Sequence, residues 1–286
     1  AQISADREHE ALATLAKLRE LPRPTRDDPW IAITQGRAER SLSDMPAAIR
    51  STQEGAEKGH TRGDRSAVVA ALVNQGSALV AAGRLDEAGA VLEQSRAMAA
   101  ALGERAGVGW TLDAIGHVRV RRGDLRGAVA AYEEGAEIFR ELGAHYGRVI
   151  TLNHAAAPLW RSGDLARARE RAGEGLALGR QIKSMDGVAG ALLQLLDIEL
   201  AAGRLPDAER ACRDASGWIA LTDKYGMARV SVGRARQLAA QGELTHATQE
   251  LTGAVALLDQ GGRRTDAADG RRWLALVELR GGHPEQ

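Results

Sequence analysis

Apolar residues fall in stripes along this chain, and a short polar turn separates each stripe from the next. In one stretch Leu125, Ala128, Val129, Tyr132, Ala136, Phe139 and Leu142 follow one another at three- and four-residue steps. That spacing returns side chains to one face of an α-helix. Asp124 stands ahead of the stripe, where its carboxylate can accept from the free N–H groups of a first turn. Gly143 stands behind it, where a glycine can end a helix. A second helix is predicted from about Tyr146 to Ser162, and Gly163 then turns the chain into the next copy.

The same turn recurs. It reads Gly83-Arg84-Leu85-Asp86-Glu87-Ala88, Gly123-Asp124-Leu125-Arg126-Gly127-Ala128, Gly163-Asp164-Leu165-Ala166-Arg167-Ala168, Gly203-Arg204-Leu205-Pro206-Asp207-Ala208 and Gly242-Glu243-Leu244-Thr245-His246-Ala247. Ser43-Asp44-Met45-Pro46-Ala47-Ala48 is a weaker copy ahead of them. From residue 43 the steps are 40, 40, 40, 40 and 39 residues. A fixed period of this size marks stacked helical pairs, each of which needs its neighbours to bury its apolar face. The fold predicted is all-α, a right-handed superhelical solenoid of antiparallel helix pairs.

Two columns set the packing. Ala88, Ala128, Ala168, Ala208 and Ala247 form one, where a small side chain lets paired helices approach. Four residues on stand Leu92, Tyr132, Ala172, Cys212 and Leu251, so Cys212 is expected to be a small core residue. The first helices carry small residues at Gly36, Gly76, Gly116 and Ala156.

These features resemble the tetratricopeptide repeat in a longer bacterial form, with about 40 residues per unit instead of about 34. The resemblance covers roughly residues 29–286. The family's aromatic positions are mostly Leu or Ala here, and its proline near the end of the second helix is missing. The Ala/Arg/Leu-rich G-D-L-x-x-A style is similar to the C-terminal sensor arrays of large actinobacterial ATP-binding transcriptional regulators. That resemblance implies a sensor or regulatory module that binds a protein, a peptide segment or a small-molecule effector. A stand-alone peptide receptor or scaffold is the second reading, and an enzyme using the concave groove is a third, less favoured one.

Residues 1–24 stand apart. Ile3 to Leu21 is predicted as one helix with Leu12, Leu15 and Leu18 apolar, ended by Pro22-Arg23-Pro24. It would be the second helix of a preceding unit. Residues 25–286 would be an array of about six units. Ala267 to Leu279 would cap it, with Trp273 and Leu276 inward. The chain opens at Ala1, and Gly282-His283-Pro284-Glu285-Gln286 matches the start of a further turn. Both ends are expected to be cuts in a longer polypeptide.

Charge narrows the partners. Lys+Arg is 38 and Asp+Glu is 38, so the basic excess of a nucleic-acid-binding domain is missing. No apolar run is long enough to span a membrane. One cysteine cannot build an internal disulfide framework and suits a reducing, cytoplasmic setting.

Catalytic motifs are not found. There is no phosphate-binding G-x-x-x-x-G-K-[ST] loop. Gly173-x-Gly175-x-x-x-Gly179 follows no strand, so it is no dinucleotide fingerprint. His9-Glu10 lacks the second histidine of a zinc protease, and no G-x-S-x-G elbow occurs. His145 and His154 are the only close histidine pair with any shape for a metal, and neither metal nor cofactor is expected. The chain is expected to be no enzyme.

The inner face of such an array is lined by the first helix of each unit. With position 1 set 19 residues before each column alanine, positions 2, 5, 9 and 12 share one side. They are Trp110, Asp113, His117 and Val120 in one pair and Ile150, Asn153, Ala157 and Trp160 in the next. Gly190, Leu193, Asp197 and Leu200 follow, then Arg229, Val232, Arg236 and Ala239. Asn74 sits at the stripe's edge. The predicted ligand or peptide groove is Asn74, Trp110, Asp113, His117, Asn153, Asp197 and Arg236. Asparagine offers donor and acceptor together, which suits a peptide backbone, and the family's peptide binders use asparagines on this helix. Trp110 and Trp160 equally suit packing between neighbouring units.

Overall fold

A computed structural model describes residues 2–219, 224–261 and 264–282; the predicted final turn through residue 286 runs beyond them. These residues are helical, with no strand among them. Residues 6–162 form one compact unit and residues 163–286 belong to a second. The first unit holds most of α1 (Gln2–Glu20), then α2 (Pro29–Ser41), α3 (Met45–Arg62), α4 (Arg65–Ala81), α5 (Leu85–Ala101), α6 (Arg105–Arg121), α7 (Leu125–Glu141) and α8 (His145–Arg161). The second holds α9 (Leu165–Gln181), α10 (Met185–Ala201), α11 (Leu205–Trp218), α12 (Lys224–Ala240), α13 (Leu244–Gln260) and α14 (Arg264–Arg280).

The predicted turns are where the helices reverse. Gly83, Gly123, Gly163, Gly203 and Gly242 have φ between 70° and 89°. Only glycine enters that region without a steric cost. At Gly123 the turn closes by Asp124 N–H donating to the Arg119 carbonyl at 2.9 Å, the six-residue bond of a Schellman motif. Matching turns lie halfway between, at Gly63, Gly103 and Gly143, so the chain reverses every 20 residues or so. Ser43 (φ 63°) and Lys183 (φ 56°) do the same work without being glycine. Asp44, Asp64, Asp124 and Asp164 each cap the next helix by accepting from a first-turn N–H.

The alanine column is fully buried: Ala48, Ala88, Ala128, Ala168, Ala208 and Ala247 are each at 0% exposure. Large residues four positions on fill the space left by small residues on the preceding helix. A Cβ on Gly36 would lie 2.6 Å from Thr52 Cγ2, one on Gly76 2.5 Å from Leu92, and one on Gly116 2.4 Å from Tyr132. No real Cβ fits there, so these glycines are holes shaped for their partners. Cys212 is buried in the core of the second unit, and burial pushes its thiol up.

Two predicted inward residues face water instead. Leu142 lies in the cap after α7 and is 43% exposed, because the stripe's geometry ends with the helix. Leu276 is 39% exposed. Trp273 packs inward as expected, together with Leu274, but Val277 and not Leu276 takes the next inward place on α14.

First helices pack against first helices. In the first unit α2 meets α4, α4 meets α6 and α6 meets α8; in the second α10 meets α12 and α12 meets α14. The second helices of successive pairs share no comparable packing. Within each unit one side is therefore lined by even-numbered helices, and their stripes carry the candidate site.

Candidate functional site

The four stripe positions do not have equal access. At position 5 Val73 and Leu193 are half-buried, while Ile33, Asp113, Asn153 and Val232 are buried, at 1–7% exposure. Two of these four are polar. A buried carboxylate at a place that Ile and Val occupy elsewhere costs free energy unless partners satisfy it.

Asp113 has such partners. Its Oδ1 lies 2.8 Å from Nδ1 of His154 on α8, and its Oδ2 lies 3.7 Å from Nε2 of His117, one turn along α6. The two imidazoles meet edge-on with centroids 4.4 Å apart. Tyr132, rising from α7, walls them on one side with its ring 5.5 Å from His117 and 5.7 Å from His154. His117 and His154 keep 41% and 35% of their side chains open to solvent. The sequence reading paired His154 with His145, but His145 opens α8 on its exposed side.

Electrostatics follow from that geometry. Burial alone would raise the Asp113 pKa, but His154 and then His117 outweigh it and hold the carboxyl below its usual range. Burial would lower His154, and Asp113 outweighs that, so the ring is raised above an ordinary histidine. His117 is lowered to about 4 by burial and by the charges of His154 and Arg40, against the pull of Asp113. The trio thus sets a carboxyl held low against a histidine held high, beside a His117 held low. Pro158, four residues after His154, cannot donate to the His154 carbonyl, so α8 lacks one ladder bond beside the site.

The other predicted residues fall as follows. Trp110 is half-buried and packs on Phe139 (centroids 4.9 Å) and Tyr146 (6.4 Å). Asn74 is half-buried and donates back to the Ala70 carbonyl at 2.8 Å. Asn153 is buried on α8. In the second unit, Asp197 and Arg236 both hold position 9 and form an ion pair between α10 and α12. Burial raises the Asp197 carboxyl despite Arg236. The Arg236 guanidinium also stacks 4.4 Å over the Trp273 ring. So the structure brings Asp113 and His117 together, and separately Asp197 and Arg236. Asn74 makes a local contact within α4, and Trp110 packs on aromatic rings of α7 and α8 instead.

Positions 2, 5, 9 and 12 also fall on α2, outside the predicted groove. The same positions there are Trp30, Ile33, Arg37 and Arg40. Trp30 is 47% exposed. No carboxylate pairs with Arg37 or Arg40 among the described residues, and the Arg40 Nε is buried without a partner. Burial, then Arg37, lowers the Arg40 pKa. His154 was likewise within reach of the count, since it holds the same edge position as Asn74.

Comparison with solved structures shows the same fold. The aspartyl phosphate phosphatase F of Bacillus subtilis has a TM-score of 0.72 at 11% identity, with 96% of this chain and 76% of that one covered. The Rap conjugation gene regulator of plasmid pLS20, in complex with the Phr* peptide, has 0.70 at 16%, covering 93% and 73%. A signal transduction ATPase with numerous domains and a tetratricopeptide repeat sensor, from Pyrococcus horikoshii, has 0.65 at 14%. That match covers 95% of this chain but 41% of the ATPase. No curated protein sequence matches. The model of the MalT-like TPR region matches residues 31–255, and the chain belongs to that family.

Proposed function

We propose that this chain is a binding module, not a catalyst, and that the even-helix face of residues 6–162 receives a peptide or protein segment bearing a carboxylate. The observation that carries this is Arg40, half-buried on that face with its Nε buried and no acidic partner among the described residues, beside the exposed Arg37. A half-buried guanidinium without a counter-charge is costly, and a ligand carboxylate would relieve it with charge-assisted hydrogen bonds. Trp30 supplies open aromatic area about two turns from Arg37 along α2, and Asn74, His117 and Asn153 lie further along the same side. Asp197 and Arg236 would form a second, separate contact surface in the other unit.

The regulatory reading is that of a sensor array within a larger transcriptional regulator, with nucleic-acid contact made by other parts. Ligand binding would shift the population of states in whatever the array restrains. The similarity to the repeat sensor of a multidomain ATPase supports it. Similarity to a Rap regulator solved with its peptide supports the stand-alone peptide receptor. A small-molecule effector would have to carry the same carboxylate. The expected setting is cytoplasmic; no helix among the described residues is long and apolar enough to cross a membrane.

The test is fluorescence anisotropy with labelled peptides that differ only in whether they carry Asp and Glu. Acidic members should bind. Arg37→Ala/Arg40→Ala should weaken them at least about tenfold, the scale of one lost charge-assisted bond. Equal binding of acidic and neutral peptides, or no effect of the double substitution, would refute the carboxylate requirement.

A further inference from the structure

We propose that Asp113, His117 and His154 form a binding site for one divalent transition-metal ion of the zinc class. Nitrogen and carboxylate ligands of that class lie about 2.0–2.2 Å from the ion, so a tetrahedral set has donors about 3.4 Å apart. Here the donor atoms of all three residues lie within 4.8 Å of one another, and the two closest approaches to Asp113 are 2.8 and 3.7 Å. Side-chain shifts of about 1 Å reach the bound geometry.

The framework suits a metal in other ways. Asp113 and His117 are four residues apart on α6, which aims both at one point. His154 comes from the packed neighbour α8, so the ion would tie two helices together. Asp113 is buried, while both histidines reach solvent, which leaves an entry path and at least one open coordination position. Two imidazoles with one carboxylate favour zinc, iron(II), cobalt or nickel over calcium or magnesium, which prefer oxygen. Arg40 acts against the ion, since its charge is felt at His117; the Asp113 carboxylate offsets it. Binding requires the ligating nitrogens of His117 and His154 to be free of protons, so it should weaken as pH falls.

The site stands independently of the peptide reading, because the probe is the metal alone. The chain, free of any affinity tag and stripped with chelator, would be titrated with zinc chloride by calorimetry. Cobalt(II) would be followed by its visible absorption. One zinc per chain is expected, with a rise in Tm of about 3–5 °C at a hundredfold excess over Kd. His117→Ala and His154→Gln should each weaken binding by more than about 100-fold, beyond what an outer-shell loss costs. The exposed His246→Ala should change nothing. His117 is half-exposed, so its variant should stay folded, and far-ultraviolet circular dichroism would verify that. An Asp113–His154 hydrogen bond with no metal role predicts no stoichiometric binding. That result would overturn the site, as would binding that survives His117→Ala/His154→Gln.

Discussion

Asp113 and His154 are 41 residues apart in the chain, yet their side chains meet at 2.8 Å between α6 and α8. Asp113 lies on the inner stripe of α6 and His154 at the edge of the stripe on α8, and the packing of successive first helices closes the gap. A double-mutant cycle with Asp113→Asn and His154→Gln, measured by urea unfolding with chelator present, should give a coupling of about 0.5–3 kcal/mol. Additive effects would mean that the pair contributes nothing to holding the two helices together.

Gly116 should resist even the smallest enlargement. Alanine normally stabilises a helix interior over glycine by about 1 kcal/mol. Here its Cβ would sit 2.4 Å from Tyr132, so Gly116→Ala should instead destabilise by about 1–3 kcal/mol. In a Tyr132→Ala background the same change should cost little or become favourable. Thermal melts of the four proteins would decide it. An unchanged cost in that background would place the strain elsewhere.

Lys183 should be improvable. It turns α9 into α10 with φ at 56°, where a side chain costs about 1–2 kcal/mol and glycine nothing. Lys183→Gly loses part of that gain to unfolded-state entropy, leaving about 0.5–1 kcal/mol of stabilisation. A lower urea midpoint for the variant would contradict this.

Glu54 should make the docking of α1 sensitive to acid. It takes an ion pair from Arg19 of α1 at 2.8 Å and one from Lys58 at 2.8 Å. Burial alone would raise its pKa, but Arg19 and Lys58 outweigh it and hold the carboxyl below its usual range. A depressed folded pKa gives stability that is present above the unfolded value of about 4.3 and is lost as pH falls through the folded one. Protection factors in α1, corrected for the intrinsic exchange rate, should therefore fall below about pH 4, and Glu54→Gln should abolish that step. Protection that falls equally in the variant would assign the acid response to other carboxylates.

Trp110→Ala should be a stability variant as much as a binding one. The ring rests on Phe139 at 4.9 Å, and losing an aromatic contact of this kind costs about 0.5–1.5 kcal/mol beyond the buried area. Its Tm should drop. A Tm equal to the parent's would mean that Trp110 stands free for a ligand.

Much of the architecture was legible in the sequence because it is local and repeated. A turn glycine, a capping Asp124 and a stripe ending at Phe139 act within one helix, and the period of 40 repeats the same decision along the chain. The buried alanine column and its large partners such as Tyr132 follow from that period. Leu142 went astray past the end of α7, where the stripe no longer fixes which way a side chain points, and Leu276 because Val277 beside it takes the inward place on α14.

Which stripe positions open to solvent was settled by packing between successive helices. The spacing put Asp113 and His117 on one side of α6 but treated them as equivalent. Contact between α6 and α8 buries the first and leaves the second half-open. It also draws in His154, and it turns Trp110 against Phe139. The absence of a partner for Arg40 is likewise a fact about three-dimensional neighbours. Sequence by itself determined the helices, their turns and their inner faces, because those depend on residues within a turn or two of one another. Tertiary structure alone decided which charges meet and which stay unpaired, because that depends on how one helix lies against the next.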